Sequence, residues 1–191
     1  MPEKSRIPFA QAEELALEVV ELVGYSCERI AIAGSIRRRK ADVGDVELVC
    51  VPRFEVMQAD LFAPGEGLSR DLLSARCVEL LADWTLAHRL DVNGHAAFGP
   101  KFKRLLYGGF PLDLFSPPAE CWGVVYCIRT GPAEFSHRLV TPRRQGGLCP
   151  DFLRFRDGRV WHEDGTLYDT PEEADVFARL GVPFVPPEER V

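Results

Sequence analysis

The feature that most constrains this 191-residue chain is a short stretch at 44–51, Gly-Asp-Val-Glu-Leu-Val-Cys-Val. Its valines, leucine and cysteine demand a buried strand, yet two carboxylates, Asp45 and Glu47, sit inside it. Side chains two apart on a strand share a face, about 6.5 Å apart. Two like charges on a half-buried face are costly unless something cationic lies between them. Any fold for this chain must therefore offer that face a partner.

The segment just upstream narrows the choice. Gly34-Ser35 follows a short apolar run at 29–33, and Arg37-Arg38-Arg39-Lys40 follows the serine. A Gly-Ser turn at a strand end presents backbone N–H groups, a hydroxyl and an incipient helix N-terminus, all suited to an anion such as phosphate. Arginines three and four residues after the glycine add forked donors. A pair of Mg²⁺ ions bridging a triphosphate would supply the charge that Asp45 and Glu47 lack. A third carboxylate is expected from a neighbouring strand, and Asp113, inside Pro-Leu-Asp-Leu-Phe at 111–115, is the candidate.

The remaining pattern mixes strands and helices. A helix is expected over 8–23, opened by Pro8 and stopped by Gly24, with Ala12, Leu15, Val19, Leu22 and Val23 on one face. Strands are expected at 29–33 and 46–51, a loop at 62–68, and a helix over 70–84 capped by Ser69, with Trp84 on its apolar stripe. Residues 89–110 read as β-structure, clearest at 102–107, and Gly108-Gly109 turns the chain into 111–115. Two helices, near 119–128 and 133–141, flank Thr130-Gly131-Pro132, and Gly146-Gly147 marks a subdomain boundary. Asp157-Gly158 and Asp164-Gly165 punctuate a hairpin, and Thr170-Pro171-Glu172-Glu173 reads as a capping box opening a last helix that ends before Gly181. The fold class expected is α+β: a mixed sheet with flanking helices, followed by a small hairpin-and-helix piece.

Composition excludes several classes. With 46% hydrophobic and 27% charged residues the chain is neither collagenous, coiled-coil nor disordered. No apolar run approaches the ~18 residues of a membrane span, and no secretory signal is visible, so a cytoplasmic protein is expected. The six cysteines form no Cys-x-x-Cys pair and read as reduced, buried thiols; the four histidines lack metal-ligand spacing. The net charge of −6 argues against bulk attraction to nucleic acid. Its distribution is uneven: 129–159 carries seven arginines against three acids, 160–191 eight acids against two arginines, and Lys101, Lys103 and Arg104 form a further basic group. Such local patches can follow a phosphate backbone.

Taken together, Gly34-Ser35, Gly44-Asp45-Val46-Glu47 and the later Asp113 resemble the signature of the DNA polymerase beta nucleotidyltransferase superfamily over about residues 28–116. Arg37-Arg38 before Val43-Gly44-Asp45, the Thr130-Gly131 step and the run from Thr170 to Arg190 resemble family X DNA polymerases in particular. That resemblance implies a nucleotidyltransferase palm over 1–128 and a thumb over 129–191, without the lyase and fingers domains of larger members. It implies a primer 3′-hydroxyl attacking the α-phosphate of a dNTP, in gap-filling repair. Asp45 and Glu47 would hold two Mg²⁺ ions, for which Mn²⁺ can substitute, and Asp113 would hold the catalytic ion and help deprotonate the hydroxyl. Gly34, Ser35, Arg38, Gly44, Thr130 and Gly131 would bind the nucleotide. Arg138, Arg143 and Arg144 would meet primer-template or gapped DNA. A monomer is expected, with a protein partner helping to retain DNA and no membrane involvement. The chain departs from the family's pattern at Glu47, usually Asp, and at Ile128-Arg129, commonly Tyr-Phe. Ser136, Val140 and Pro111 stand where Asn, Arg and Arg are usual. The alternatives are a template-independent nucleotidyltransferase with a non-DNA acceptor, and a non-catalytic DNA-binding relative.

Overall fold

The computed structural model describes residues 6–56 and 69–190; the loop expected at 62–68 lies outside them. In chain order the first body comprises β1 (Ile7–Pro8), α1 (Phe9–Val23), β2 (Cys27–Ile32), α2 (Gly34–Arg37), β3 (Asp42–Val43), β4 (Val46–Pro52), β5 (Phe54–Val56), β6 (Ser69–Asp71), α3 (Leu72–Ala82), β7 (Leu86–His88), β8 (Phe102–Tyr107) and β9 (Phe110–Phe115). Then come α4 (Trp122–Thr130), α5 (Ala133–Val140), β10 (Leu153–Arg156), β11 (Arg159–His162), β12 (Leu167–Tyr168) and α6 (Glu173–Leu180).

The centre is a five-stranded mixed sheet in the order β2-β4-β9-β8-β7, in which only β4 and β9 run parallel. The alternation of β4 and β9 divides their side chains between two faces. Val46, Leu48, Cys50, Leu112 and Leu114 point to the α1 and α3 side, where Ala12, Ala16, Val19, Leu73, Cys77 and Leu80 meet them in one buried cluster. The opposite face carries Val49, Val51 and Phe115, which Trp122 of α4 covers. It leaves Glu47 and Asp113 beyond the edge of that cover. Gly108 and Gly109, both at positive φ, make the tight turn joining β8 to β9. The architecture is the mixed α+β arrangement expected.

The second core is built from Val124 and Cys127 of α4, Phe135 and Leu139 of α5, Leu153 and Val160 of the β10–β11 hairpin, and Val176, Phe177 and Leu180 of α6. α4 thus serves both cores, one face to the sheet and the other to the hairpin piece. The boundary expected at 128/129 falls inside this helix.

Several local expectations are corrected. Pro8 pairs with Asp42 in a two-residue bridge and precedes the helix rather than opening it. Asp71, not Ser69, caps α3: its carboxylate accepts from the Ser74 N–H at 3.0 Å, while Ser69 pairs in β6. Trp84 is 88% exposed at φ 66°, because α3 ends at Ala82. α6 begins at Glu173, two residues later than the box at Thr170 implied; the Glu172 N–H donates to the Asp175 carboxylate at 2.8 Å. Gly146-Gly147 is no boundary: Gly147 and Cys149 N–H groups bond back to Pro142 and Thr141, inside the second core. Lys103 is fully buried, with its ammonium on the Gly99 carbonyl at 3.1 Å, and adds nothing to a surface patch. The six cysteines are free and buried, as their spacing suggested. Among the described residues no helix is long and apolar enough to cross a membrane.

The two bodies are joined by charge. Glu173 lies between Arg37 of α2, at 2.5 Å, and the wholly buried Arg190, at 2.8 Å. Arg37 also donates to Thr130 Oγ1 at 2.7 Å and lies 3.7 Å over the Tyr126 ring. Nearby, Arg29 makes a two-pronged pair with Glu172, both contacts at 2.7 Å, and stacks 3.5 Å over Trp122. Removing the shared carboxylate strands two cations that burial has stripped of water, a change that typically costs about 3–5 kcal/mol. Glu173→Gln is expected to cost on the order of 3 kcal/mol and to lower the melting temperature by roughly 6–12 °C. Thermal denaturation checks this; a shift under about 2 °C would show that the network contributes little.

Candidate active site

The site begins at the end of β2. Ala33 is extended, and Gly34 turns at φ 63° into the single-turn helix α2. The positive φ favours glycine here, and a Cβ at residue 34 would in addition push the Glu47 side chain aside. The turn separates the arginines that follow. Arg37 goes to Glu173 and the interdomain contact, whereas Arg38 faces an open cleft and donates to the Thr130 carbonyl. Of the two arginines expected to face a phosphate, only Arg38 lines this cleft. Burial holds its guanidinium pKa below the usual value, with Glu47 opposing.

That cleft, about 520 Å³, is lined by Ser35, Arg38, Gly44, Asp45, Glu47 and Gly131 among others. Ser35 Oγ and Arg38 Nε are buried there without a hydrogen-bond partner. Buried polar atoms are normally paired, so two open donors in one cleft mark a place for an acceptor. Thr130 does not face it: wholly buried, it spends its hydroxyl on Arg37 and its carbonyl on Arg38, and so orients both. Gly131 keeps the α4–α5 corner tight, since a Cβ there would meet Phe135 at 2.6 Å.

Across the sheet, the parallel register of β4 and β9 sets Glu47 directly beside Asp113. Glu47 also lines a second cavity, on the Asp113 side, so it stands between the two spaces. Burial, then the Asp45 charge and, more weakly, the Asp113 charge raise the Glu47 pKa to about 7, against the pull of Arg129 and Arg38. Asp113, 8% exposed, has Arg104 at 3.6 Å and Arg89 at 3.7 Å. Arg104 is its cross-strand partner on β8.

All-oxygen carboxylate donors suit a hard divalent cation such as Mg²⁺. A dication would relieve the repulsion that lifts the Glu47 pKa, so the donor chemistry fits. Among the described residues, no three His, Cys, Asp or Glu side chains lie close enough to form a ready ligand shell.

Arg138, Arg143 and Arg144 are exposed along α5 and the following turn. Arg143 also donates to the Leu180 carbonyl at 2.6 Å, tying that turn to α6, and Arg144 lies 3.9 Å from Asp151. Reading the sequence alone did not single out Arg89 or Ser116 and did not bring Arg104 or Arg129 to the site. Arg104 could have been found from its alternation with Phe102 in a strand paired to β9. Arg89 has no such signal, because it sits outside the regular strands.

The family model for the DNA polymerase beta thumb matches residues 128–191. No curated protein matches the chain. The match shows that the chain resembles family X DNA polymerases, and it relates the chain to polymerases and to DNA binding.

The raised Glu47 pKa has a stability consequence. In the unfolded chain the group ionises near 4.5, in the folded one near 7, so the folded state holds its proton more tightly. The corresponding stability is present below pH 4.5 and is lost as pH rises through 7. In cation-free buffer, wild type is expected to lose on the order of 2 kcal/mol more than Glu47→Gln between pH 5 and pH 8. Denaturant titrations at both pH values test it; parallel losses would contradict the environment described.

Proposed function

We propose that the chain is a divalent-cation-dependent nucleotidyltransferase, a DNA polymerase that adds a nucleotide from a dNTP to a primer 3′-hydroxyl. The observation that carries this reading is the Glu47–Asp113 pairing across β4 and β9, with the open donors of Ser35 and Arg38 on one side and a thumb-matching segment following it. The palm spans 1–128 and the thumb 129–191 on this reading.

Asp45, Glu47 and Asp113 are the residues that would hold Mg²⁺, or Mn²⁺ in its place, and the bound ions would supply Lewis acidity at the α-phosphate. Ser35, Arg38 and the Gly44 backbone donate to the β- and γ-phosphates and orient the triphosphate. Gly34 keeps the backbone close to them. Thr130 fixes Arg38, and Gly131 closes the cleft at the α4–α5 corner. Asp113 accepts the proton of the primer hydroxyl. The hydroxyl oxygen bonds to the α-phosphorus, the bond from that phosphorus to the bridging oxygen breaks, and pyrophosphate leaves with the electron pair. The exposed Arg138, Arg143 and Arg144 meet the duplex phosphates. Gap filling is the role in repair that suits this chemistry.

A template-independent reading is favoured by one feature: exposed Arg129 stands 4.0 Å over Phe115 where the family commonly places an aromatic residue. Incubation with a gapped primer-template, dNTPs and Mg²⁺ or Mn²⁺ separates the two. Templated extension is expected, with Asp113→Asn slower by at least about a hundredfold. Equal extension on an untemplated single strand would favour the second reading. No transfer to either substrate, or an Asp113→Asn variant as active as wild type, would refute the assignment.

A further inference from the structure

Two rows of residues cross β4 and β9 on the α4 side of the sheet. Glu47 stands beside Asp113, and two residues further along each strand Val49 stands beside Phe115. Side chains two apart on a strand share a face, so Phe115 lies one row, about 6.5 Å, from the carboxylate pair. Phe102, the cross-strand partner of Phe115 on β8, stacks with it, ring centroids 4.9 Å apart and planes at 20°. The two rings back one another and make a firm platform. The guanidinium of Arg129, from the last turn of α4, lies 4.0 Å over the Phe115 ring. It lines the same cavity, about 490 Å³, as Glu47 and Asp113.

The arginines around these carboxylates are held in different ways. Arg38 donates to the Thr130 carbonyl, and Arg89 and Arg104 are ion-paired with Asp113. Arg129 is exposed and makes no hydrogen bond among the described residues; the ring holds it, and its charge acts on Glu47. A cation–ring contact at an exposed position is weak, so this guanidinium can swing aside at little cost. Of the two arginines whose charge acts on Glu47, it is the less firmly held.

A guanidinium and a divalent cation compete for the same carboxylates. A bare cation entering the site works against the Arg129 charge. A cation bound to a triphosphate arrives inside an anion, and Arg129 then attracts the complex. We propose that Arg129 is an electrostatic gate: resting on Phe115, it weakens capture of a bare divalent cation at Glu47 and Asp113 and favours a cation delivered with a triphosphate. This inference rests on the assignment of Asp45, Glu47 and Asp113 to a divalent cation made above. It adds an order of loading, in which the cation enters with its nucleotide.

The probe is Mn²⁺, followed by the loss of its free electron paramagnetic resonance signal. The full chain is used without primer at pH 8, above the Glu47 pKa of about 7. Arg129→Met keeps a long side chain over the ring and removes the charge, whereas Arg129→Lys keeps the charge. Arg129 is exposed, and circular dichroism confirms that both variants fold. Bare Mn²⁺ is expected to bind Arg129→Met about tenfold more tightly than wild type, and Arg129→Lys within about twofold of wild type. Affinity for Mn²⁺-dATP, read by calorimetry, is expected to fall about threefold or more in Arg129→Met. Unchanged or weaker binding of bare Mn²⁺ in Arg129→Met, equal tightening in Arg129→Lys, or a parallel tightening of Mn²⁺-dATP would overturn the gate. So would the absence of Mn²⁺ binding in all three proteins. The transferase reading fails separately, by the absence of nucleotide transfer: the expected Mn²⁺ pattern in a protein that transfers no nucleotide would refute that reading and leave the gate standing.

Discussion

The rest of the molecule depends on the parallel pairing of β4 with β9. A shift of one residue in register would separate Glu47 from Asp113; this register puts them side by side on the α4 side of the sheet, beyond the part that Trp122 covers. Two carboxylates there, with Asp45 one pleat away, create a local excess of negative charge inside an apolar framework. Everything around them answers that excess. Arg38 and Arg129 pull against the rise in the Glu47 pKa, and Arg104 and Arg89 stand close to Asp113. Burial, with Asp45 and more weakly Asp113, still lifts the Glu47 pKa to about 7 against them.

The second constraint is how the two bodies are held. Gly34 lets the chain turn tightly against β4, and the turn sends neighbouring arginines in opposite directions. Arg37 anchors the C-terminal piece through Glu173, and Arg38 faces the cleft while resting on Thr130. The same four-residue helix and its cap therefore fix the interdomain contact and set Arg38 at the cleft. α4 continues the coupling, since its two faces belong to different cores and Arg129 at its end overlooks the cavity beside Asp113.

Much of this was legible in the sequence because it rests on short-range signals. Alternation located β4 and β9, paired glycines marked the β8–β9 turn, and the Asp157-Gly158 and Gly181 turns were placed correctly by their need for positive φ. The corrections arise where tertiary contacts outweigh local propensity. Thr170-Pro171 has the form of a helix start, yet the segment is spent on α4: the Gly123 N–H donates to the Thr170 carbonyl and Thr170 donates to Glu120. Arg37 reads as half of a phosphate clamp, but a buried carboxylate 136 residues away claims it. Lys103 and Arg104 are adjacent in a basic run, and the pleat sends one into the core and the other to the site. Arg89 reaches Asp113 from outside the regular strands, a contact no local pattern encodes.

The central claim is that Asp45, Glu47 and Asp113 act as one ligand set beside a triphosphate. The most direct measurement is a crystal structure of the protein soaked with a non-hydrolysable dNTP analogue and Mn²⁺, with the ions located by anomalous scattering. The account predicts manganese bound by oxygens of all three carboxylates, with the β- and γ-phosphates on Ser35 and Arg38. Manganese elsewhere, or an analogue lodged away from Ser35 with Asp113 still turned to Arg104, would contradict it.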